Sequence, residues 1–356
     1  MGACQSSPTP QETEQQQESE KDAVYIVEDD EAELYSPDGA RKLVSIYSKQ
    51  GKKGPNQDAA ILRQGYGVED GVFCGVFDGH GRKGHYVSKV IRDYLPSLLL
   101  AQRNALLSND PLAESSDDGD DDNDVDDDDS DEDDPCSSSA SEMFDEWKEA
   151  CVGAFKAMDK ELIHRLPLGC SSSGSTAVTI VKIGSDVIIA NLGDSRAVLG
   201  TMINGQLTAV QLTTDLKPGL PHEAKRIRKR NGRVFALKQE PNIQRVWLPN
   251  SNSPGLAMAR AFGDLQLKDY GVIAVPQVSY HHLYDNDQFI VLATDGVWDV
   301  LSNQQVVSII GSVKKKQNAA HAVVAMAGQV WKQKFPTSKI DDCTILCLFL
   351  HDMEDT

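Results

Sequence analysis

The chain has 356 residues, of which 40% are hydrophobic, and its formal net charge is −19. This length accommodates one or two domains, and no stretch has the about 18 uncharged apolar residues that a membrane-spanning helix requires. Seven cysteines without a CxxC pair favour buried thiols over a disulfide scaffold or a zinc site. We therefore expect a soluble globular protein.

The first features in chain order are a lipidation signal and a tether. The chain starts MGACQS, which fits N-myristoylation at Gly2, and Cys4 can take a second acyl chain. Two lipids would hold a cytoplasmic protein at the plasma membrane, because one myristoyl chain binds only marginally. Residues 1–40 are predicted to be a disordered tether, since Gln, Glu and Ser are frequent in them. An unmodified tail and a nuclear location are the alternatives.

The folded domain is expected over residues 41–351. Its first strands are predicted at Leu43–Tyr47 and Ala59–Arg63. The loop GKKGPNQD between them brings Lys53, Gln57 and Asp58 together. A glycine-framed loop with two lysines could cradle a phosphate, although paired lysines are more often simply solvated.

The next stretch, Val72–Gly81, reads VFCGVFDGHG. An apolar run of this kind predicts a buried strand that delivers polar groups to its C-terminal edge. Asp78 offers two oxygens to hard cations, and Gly79 lets its backbone come close. His80 is suited to proton transfer near neutral pH. Taken alone, the motif also fits a polar turn after a core strand.

An acidic insert separates two predicted helices. His85–Leu100 has apolar residues at helical spacing, broken by Pro96, and Met143–Leu166 forms the second helix. One apolar face of the second helix is expected in the core: Phe144, Trp147, Cys151, Phe155 and Met158. Fifteen Asp and Glu but no Lys or Arg lie within residues 114–134, which leaves only −4 of the −19 for the rest of the chain. We predict a disordered loop over residues 109–140, a solvated spacer rather than a contact site for a basic partner.

Short strands separated by turns follow. Ser175–Lys182, Asp186–Ala190 and Leu207–Leu212 are β-rich, and Asn204-Gly205 marks a hairpin before the last. This pattern predicts antiparallel sheets rather than a doubly wound parallel fold. Asp194 stands where the second strand turns.

Two further segments are predicted to be helical. Lys217–Arg233 is basic and is predicted to be a surface helix that faces an acidic or phosphorylated substrate. A nucleic-acid partner is not expected, because the chain lacks a general basic footprint. Leu256–Asp264, LAMARAFGD, is expected to place Arg260 and Asp264 on a turn of helix.

Acidic strand ends recur near the C-terminus. Phe289–Asp299 reads FIVLATDGVWD, an apolar strand followed by Asp295 and Asp299, and Asp341 and Asp342 directly precede another apolar strand. A buried strand tolerates Asp at its end only if the charge is paired, hydrogen-bonded or on a metal. Several such ends in one chain suggest a shared cation.

Taken together, these motifs resemble the type 2C protein phosphatases, metal-dependent serine/threonine phosphatases, and most closely their plant-type branch. The ordered matches, which extend over roughly residues 45–350, are VFDGHG at 76–81, GSTA at 174–177, NLGDSR at 191–196, LAMARAFGD at 256–264, ATDGVWD at 293–299 and the Asp pair at 341. The resemblance implies an α+β fold: a central sandwich of two antiparallel β-sheets flanked by α-helices, with a metal cleft at one end.

The resemblance also implies a metal-ligand set. Asp78 would bridge two Mg²⁺ or Mn²⁺ ions, the Gly79 carbonyl would bind one ion, and Asp295 and Asp341 would bind the other. Asp194 and Asp299 would help to hold a weaker third ion. All-oxygen ligands suit hard cations, and two such ions can activate a bridging water for in-line attack on a phosphoryl group.

The remaining roles concern the proton and the phosphate. His80 is the expected acid that protonates the leaving alkoxide. Lys53 stands where many family members carry a phosphate-gripping Arg, and a Lys supplies charge without the planar two-point contact. Gln57 replaces a Glu of the family's metal shell, so Asp58 is expected to contribute more to metal binding there.

Three functions stay open on this basis. The first is an active hydrolase of phosphoserine and phosphothreonine in proteins, which is expected to be a monomer. The second is a catalytically weak pseudophosphatase that binds phosphoproteins without turnover. The third is a membrane-tethered, phosphoprotein-binding adaptor whose acidic loop is the functional part.

Overall fold

The computed structural model describes residues 24–27, 44–108, 138–166, 169–337 and 339–351. The lipidation residues Gly2 and Cys4 and most of the acidic insert lie outside the described residues. The strands are β1 (Val24–Val27), β2 (Val44–Lys49), β3 (Asp58–Gln64), β4 (Val72–His80), β5 (Gly174–Ser175), β6 (Ala177–Ile183), β7 (Asp186–Leu192), β8 (Arg196–Ile203), β9 (Gln206–Gln211), β10 (Arg233–Ala236), β11 (Gln244–Trp247), β12 (Gly255–Leu256), β13 (Phe262–Gly263), β14 (Gln277–His282), β15 (Asp287–Ala293) and β16 (Cys343–Phe349). The helices are α1 (Gly84–Ser108), α2 (Ser138–Arg165), α3 (Pro221–Lys229), α4 (Leu265–Lys268), α5 (Asp295–Trp298), α6 (Asn303–Ser312) and α7 (Ala319–Lys334).

Two antiparallel sheets form the centre of the fold. The larger sheet has the order β1-β3-β4-β6-β7-β14, with β5 and β13 attached beside β4, and the smaller has the order β2-β16-β15-β8-β9. Apolar side chains of both sheets meet between them, including Leu62, Val76, Ile180, Leu292 and Leu346. The predicted sandwich of antiparallel sheets is therefore confirmed, and the hairpin at Asn204-Gly205 joins β8 to β9.

Helices cover both outer faces of the sandwich. Trp147 and Phe155 of α2 and Ile91 of α1 pack with Phe73 and Phe77 of the larger sheet. The helices α6 and α7 cover the smaller sheet in the same way, through a second apolar cluster that includes Val307, Val323 and Trp331. None of the helices within the described residues combines the length and apolar character needed to cross a membrane.

The helix α1 continues through Pro96, where the sequence predicts a break. A proline inside a helix removes one hydrogen bond and crowds the preceding turn. Here the cost is offset by packing, because Leu95, Pro96 and Leu99 are buried and the Tyr66 hydroxyl donates to the Pro96 carbonyl at 2.6 Å. Tertiary burial thus outweighs the local preference.

Two boundaries differ from the sequence expectation. The strand β1 lies inside the predicted tether and pairs with β3, since its residues VYIV are β-branched or aromatic. The helix α2 begins at Ser138, inside the range predicted for the insert.

The segment 256–264 is not a turn of helix, so that expectation was wrong. Leu256 belongs to β12, which pairs with β11, and Phe262-Gly263 pairs with β5. The basic helix is also shorter than predicted, since α3 runs from Pro221 to Lys229. Together α3 and β10–β12 form a small subdomain with its own apolar cluster around Ile227, Val246 and Leu267.

Glu223 anchors this subdomain to the body of the protein. It is fully buried, and it accepts hydrogen bonds from Arg260 at 2.6 and 2.9 Å and from Arg226 at 2.6 Å. Arg226 also donates to the Ala259 carbonyl at 2.9 Å. The segment that leads to Asp264 is therefore fixed by a buried ion network, and Arg226 of the basic helix faces inward.

Candidate active site

The predicted site residues come from strand ends that lie at one edge of the sandwich. Asp58 and Asp78 face each other across the β3–β4 register. Asp295 follows the end of β15, and Asp341 precedes the start of β16, which pairs with β15. Asp194 lies in the turn between β7 and β8. The sheet register thus brings together carboxylates that are far apart in sequence.

The carboxylates at this edge repel one another. Burial raises the pKa of Asp295 to about 8, and the charges of Asp194, Asp341 and Asp299 add to the effect. Burial and the neighbouring Asp295 also hold the pKa of Asp78 well above its usual range. Such crowding is costly unless positive charge is supplied, and it is typical of functional sites.

Two lysines supply part of that charge. Lys53 pairs with Asp341, and Lys217 pairs with Asp194. Burial alone would lower the pKa of Lys217, but the Asp194 carboxylate raises it. Asp194 is only 2% exposed, and its Oδ1 has no hydrogen-bond partner. The sequence predicts Lys53 here, whereas it predicts Lys217 only as the start of a basic surface helix; Lys217 instead reaches the site from the loop before α3.

The donor set fits a hard cation in its chemistry. The residues offer several carboxylates and the backbone carbonyl of Gly79, and the Oδ1 of Asp194, which has no hydrogen-bond partner, is available to a cation. No three His, Cys, Asp or Glu side chains of the described ranges already converge on one point. The two lysine ammonium groups lie against carboxylates that a cation would otherwise share, so binding of a cation there requires these side chains to move.

Gly79 has the close backbone contacts expected of it. A Cβ at this position would lie 2.4 Å from the Gly84 carbonyl oxygen and 2.6 Å from that of Gln57. No side chain other than hydrogen fits between the two loops. Glycine at position 79 therefore allows the close approach of the two backbone segments at the end of β4.

Asp342 holds the neighbouring loop in place. Its Oδ1 accepts from the Gly51 amide at 2.7 Å, and its Oδ2 accepts from the Gln57 amide at 2.9 Å. The two adjacent aspartates therefore have different surroundings: Asp341 contacts Lys53, and Asp342 fixes the backbone of the lysine loop. The sequence shows the pair but not this division.

Gln57 and Asp58 are engaged with protein groups. The Gln57 side-chain amide donates to the Gly81 carbonyl at 2.8 Å. Asp58 is buried, and its Oδ2 accepts from the Thr294 hydroxyl at 2.9 Å. A glutamate at position 57 would place a carboxylate against that carbonyl, so the amide suits this contact. Asp299 directly follows α5 and is exposed.

His80 forms a close pair with Asp264. Its Nε2 lies 2.5 Å from Asp264 Oδ2. Burial alone would lower the pKa of His80, but the Asp264 charge and hydrogen bond raise it. Gly174 makes room for the pair, because a Cβ there would lie 2.3 Å from that Oδ2 and 2.8 Å from Nε2.

Asp264, like Lys217, is a site residue that the sequence analysis does not predict. It adopts a left-handed backbone conformation (φ 49°) between β13 and α4, and its amide donates to the Ser173 carbonyl at 3.0 Å. An Asp directly after an Ala-rich, helix-favouring stretch gave a helical interpretation instead. The signal lay in the Phe-Gly-Asp sequence, in which Gly263 also has a positive φ.

Comparison with known proteins identifies the family. A family profile described as Protein phosphatase 2C matches residues 44–330. The chain belongs to this family. It is 55% identical to "Probable protein phosphatase 2C 12" of rice, over 99% of this chain and 92% of that protein. It is 48% identical to "Probable protein phosphatase 2C 72" of Arabidopsis, over 99% of both.

A solved structure supports the same assignment. The serine-threonine phosphatase 2C from Toxoplasma gondii superimposes with a TM-score of 0.72 at 26% identity, over 86% of this chain and 94% of that one. These comparisons confirm three predictions from the sequence: the family, the fold and the phosphatase class. Members of this family depend on metal ions, generally Mg²⁺ or Mn²⁺.

Proposed function

We propose that this protein hydrolyses phosphoserine and phosphothreonine in other proteins with the help of two Mg²⁺ or Mn²⁺ ions, and that a third binds more weakly. The observation that carries the proposal is the group of closely spaced carboxylates at one sandwich edge, beside the His80–Asp264 pair. Bound metal ions would activate a water for attack and neutralise the phosphoryl charge. The residues that would hold them are Asp78, Gly79, Asp295, Asp341, Asp194 and Asp299.

The protein's own groups would divide the remaining work. Lys53, now on Asp341, is half-exposed and can turn to the phosphate. His80 would donate a proton to the leaving alkoxide, and Asp264 would keep the imidazole oriented and protonated. Asp58 would help to hold the ends of β3 and β15 together, through its hydrogen bond from the Thr294 hydroxyl. The pseudophosphatase and adaptor alternatives gain no support from relatives that are named as phosphatases.

The decisive test is phosphate release from a phosphothreonine peptide. Purified protein should turn over with Mn²⁺ or Mg²⁺, and activity should disappear with a chelator and in Asp295→Asn. Asp285→Asn is a matched control, because Asp285 is exposed near the other end of β15. Metal-independent turnover, or full activity of Asp295→Asn, would refute the proposal.

We also propose that lipids on Gly2 and Cys4 bring a monomeric enzyme to the plasma membrane. Support comes from the MGACQS sequence alone. Size-exclusion chromatography with light scattering tests the monomer, and an elution at twice the chain mass of 38.9 kDa would contradict it.

A further inference from the structure

A basic surface borders the acidic edge. Lys52 lies on the loop between β2 and β3, and Arg82 and Lys83 lie on the turn between β4 and α1, directly after His80. All three side chains are exposed. We call Lys52, Arg82 and Lys83 the basic rim.

Backbone contacts hold the two loops of the basic rim in place. The side-chain amide of Gln57 joins the two loops, because it donates a hydrogen bond to the Gly81 carbonyl at 2.8 Å. On one side the Lys52 amide donates to the Ile340 carbonyl at 2.8 Å. On the other the Lys83 amide donates to the Ser173 hydroxyl at 3.0 Å. The rim is thus positioned by ordered backbone, and only the long side chains remain free to adjust.

The charges of the basic rim are not neutralised locally. Within the described part of the chain, Lys52, Arg82 and Lys83 form no ion pair, and Lys83 lies 5.1 Å from the ring of Tyr86. The resulting field reaches neighbouring groups. The pKa of His85 is lowered by partial burial and then by the positive charges of Lys83 and Lys89.

The basic rim lies far from the ends of α1 and α2 that flank the acidic insert in the sequence. The helices α1 and α2 are antiparallel, since Arg165 stacks on Tyr94 and Trp147 lies against Arg103. The helix α1 has 25 residues and starts at the rim, so its other end, Ser108, lies roughly 37 Å away.

We infer that the basic rim selects substrates that carry Asp or Glu next to the phosphorylated residue. The inference rests on the proposed function and specifies its substrate class. A peptide whose phosphate lies at the aspartate edge would have its neighbouring residues beside Lys52, Arg82 and Lys83. Acidic neighbours would be attracted there, and basic neighbours would be repelled.

The test compares three phosphothreonine peptides of equal length, with Glu, Ala or Lys on both sides of the phosphothreonine. The full chain is assayed with Mn²⁺ at low and high salt, and p-nitrophenyl phosphate serves as a substrate without neighbours. The test variant is Arg82→Glu with Lys83→Glu. The control is Lys314→Glu, an exposed lysine at the opposite end of the smaller sheet, where nearby Lys316 donates to the His351 carbonyl.

We expect the unmodified protein to prefer the Glu peptide over the Lys peptide by about tenfold in kcat/KM at low salt, and by less at high salt. The double variant should lose or reverse this preference, while Lys314→Glu keeps it. Activity on p-nitrophenyl phosphate should stay the same in all three. Equal use of the peptides by the unmodified protein, or an unchanged preference in the double variant, would overturn the inference. Absence of turnover on every substrate would instead refute the proposed function, and the inference with it.

Discussion

The pairing of His80 with Asp264 makes a prediction about the leaving group. In Asp264→Asn the imidazole loses a charged partner that lies 2.5 Å from Nε2. One hydrogen bond to a charged group contributes about 1.5 to 3 kcal/mol. At 1.36 kcal/mol per factor of ten, kcat on a phosphothreonine peptide should fall roughly 10- to 150-fold.

The loss should depend on how much the leaving group needs a proton. Phosphothreonine leaves as a strongly basic alkoxide, whereas p-nitrophenyl phosphate leaves as a weakly basic phenolate. Hydrolysis of p-nitrophenyl phosphate should therefore change little in Asp264→Asn. The decline of kcat with rising pH should also begin at lower pH, because Asp264 raises the pKa of His80 and its removal lets that pKa fall.

Steady-state kinetics on both substrates, together with the Tm of each variant, check this reasoning. His80→Asn should show the same split between substrates, and the double variant should lose little more, since the two residues act as a unit. Equal losses on both substrates with an unchanged Tm would refute a role in proton donation. The same conclusion would follow if Asp264→Asn kept full activity on the peptide.

Three further predictions concern packing, stability and location. Gly174→Ala should lower the free energy of unfolding by about 2 kcal/mol in chemical denaturation, because its Cβ would lie 2.2 Å from the Phe262 carbonyl oxygen. Glu223→Gln should destabilise by about 3 kcal/mol, since it breaks a buried ion network. Burial would raise the pKa of Glu223, but Arg260 and Arg226 lower it. The difference in the free energy of unfolding between the variant and the unmodified protein should therefore persist at neutral pH and vanish as pH falls below the ordinary pKa range of a glutamate. A difference that does not depend on pH would contradict the argument. Gly2→Ala should move the protein from the membrane to the soluble fraction of a cell lysate, and unchanged partitioning would exclude the lipid anchor.

The sequence predicts those site residues that directly follow or precede a strong apolar strand. Asp78, Asp295 and Asp341 stand at the ends of runs whose β character is local, so their shared edge follows once the sheets are antiparallel. The structure places them together, while their role as metal ligands stays a prediction.

The features that the sequence does not reveal depend on contacts between distant segments. Ala, Met and Arg around Asp264 predict a helix, but the pairing of β13 with β5 determines its backbone conformation. Lys217 reaches Asp194 from a loop whose path no local pattern indicates. Pro96 stays helical because its neighbours are buried. In each case tertiary packing outweighs the local preference.

The crowding of carboxylates leads to a last prediction, on stability rather than rate. Without metal, the folded protein raises the pKa of Asp295 to about 8, so it holds a proton that the unfolded chain releases near pH 4. Stability of the metal-free protein should then fall as pH rises through this window, because the folded state binds more protons than the unfolded state.

Asp295→Asn removes this carboxyl group and should abolish its contribution to the loss of stability with rising pH. In a chelator, the Tm of the variant relative to the unmodified protein should rise between pH 6 and pH 8, and Asp285→Asn should show no such trend. With Mn²⁺ the order should invert, because a cation that binds only the folded state stabilises the unmodified protein more. A Tm difference between the two proteins that is independent of both pH and Mn²⁺ would mean that Asp295 neither repels its neighbours nor shares a cation with them.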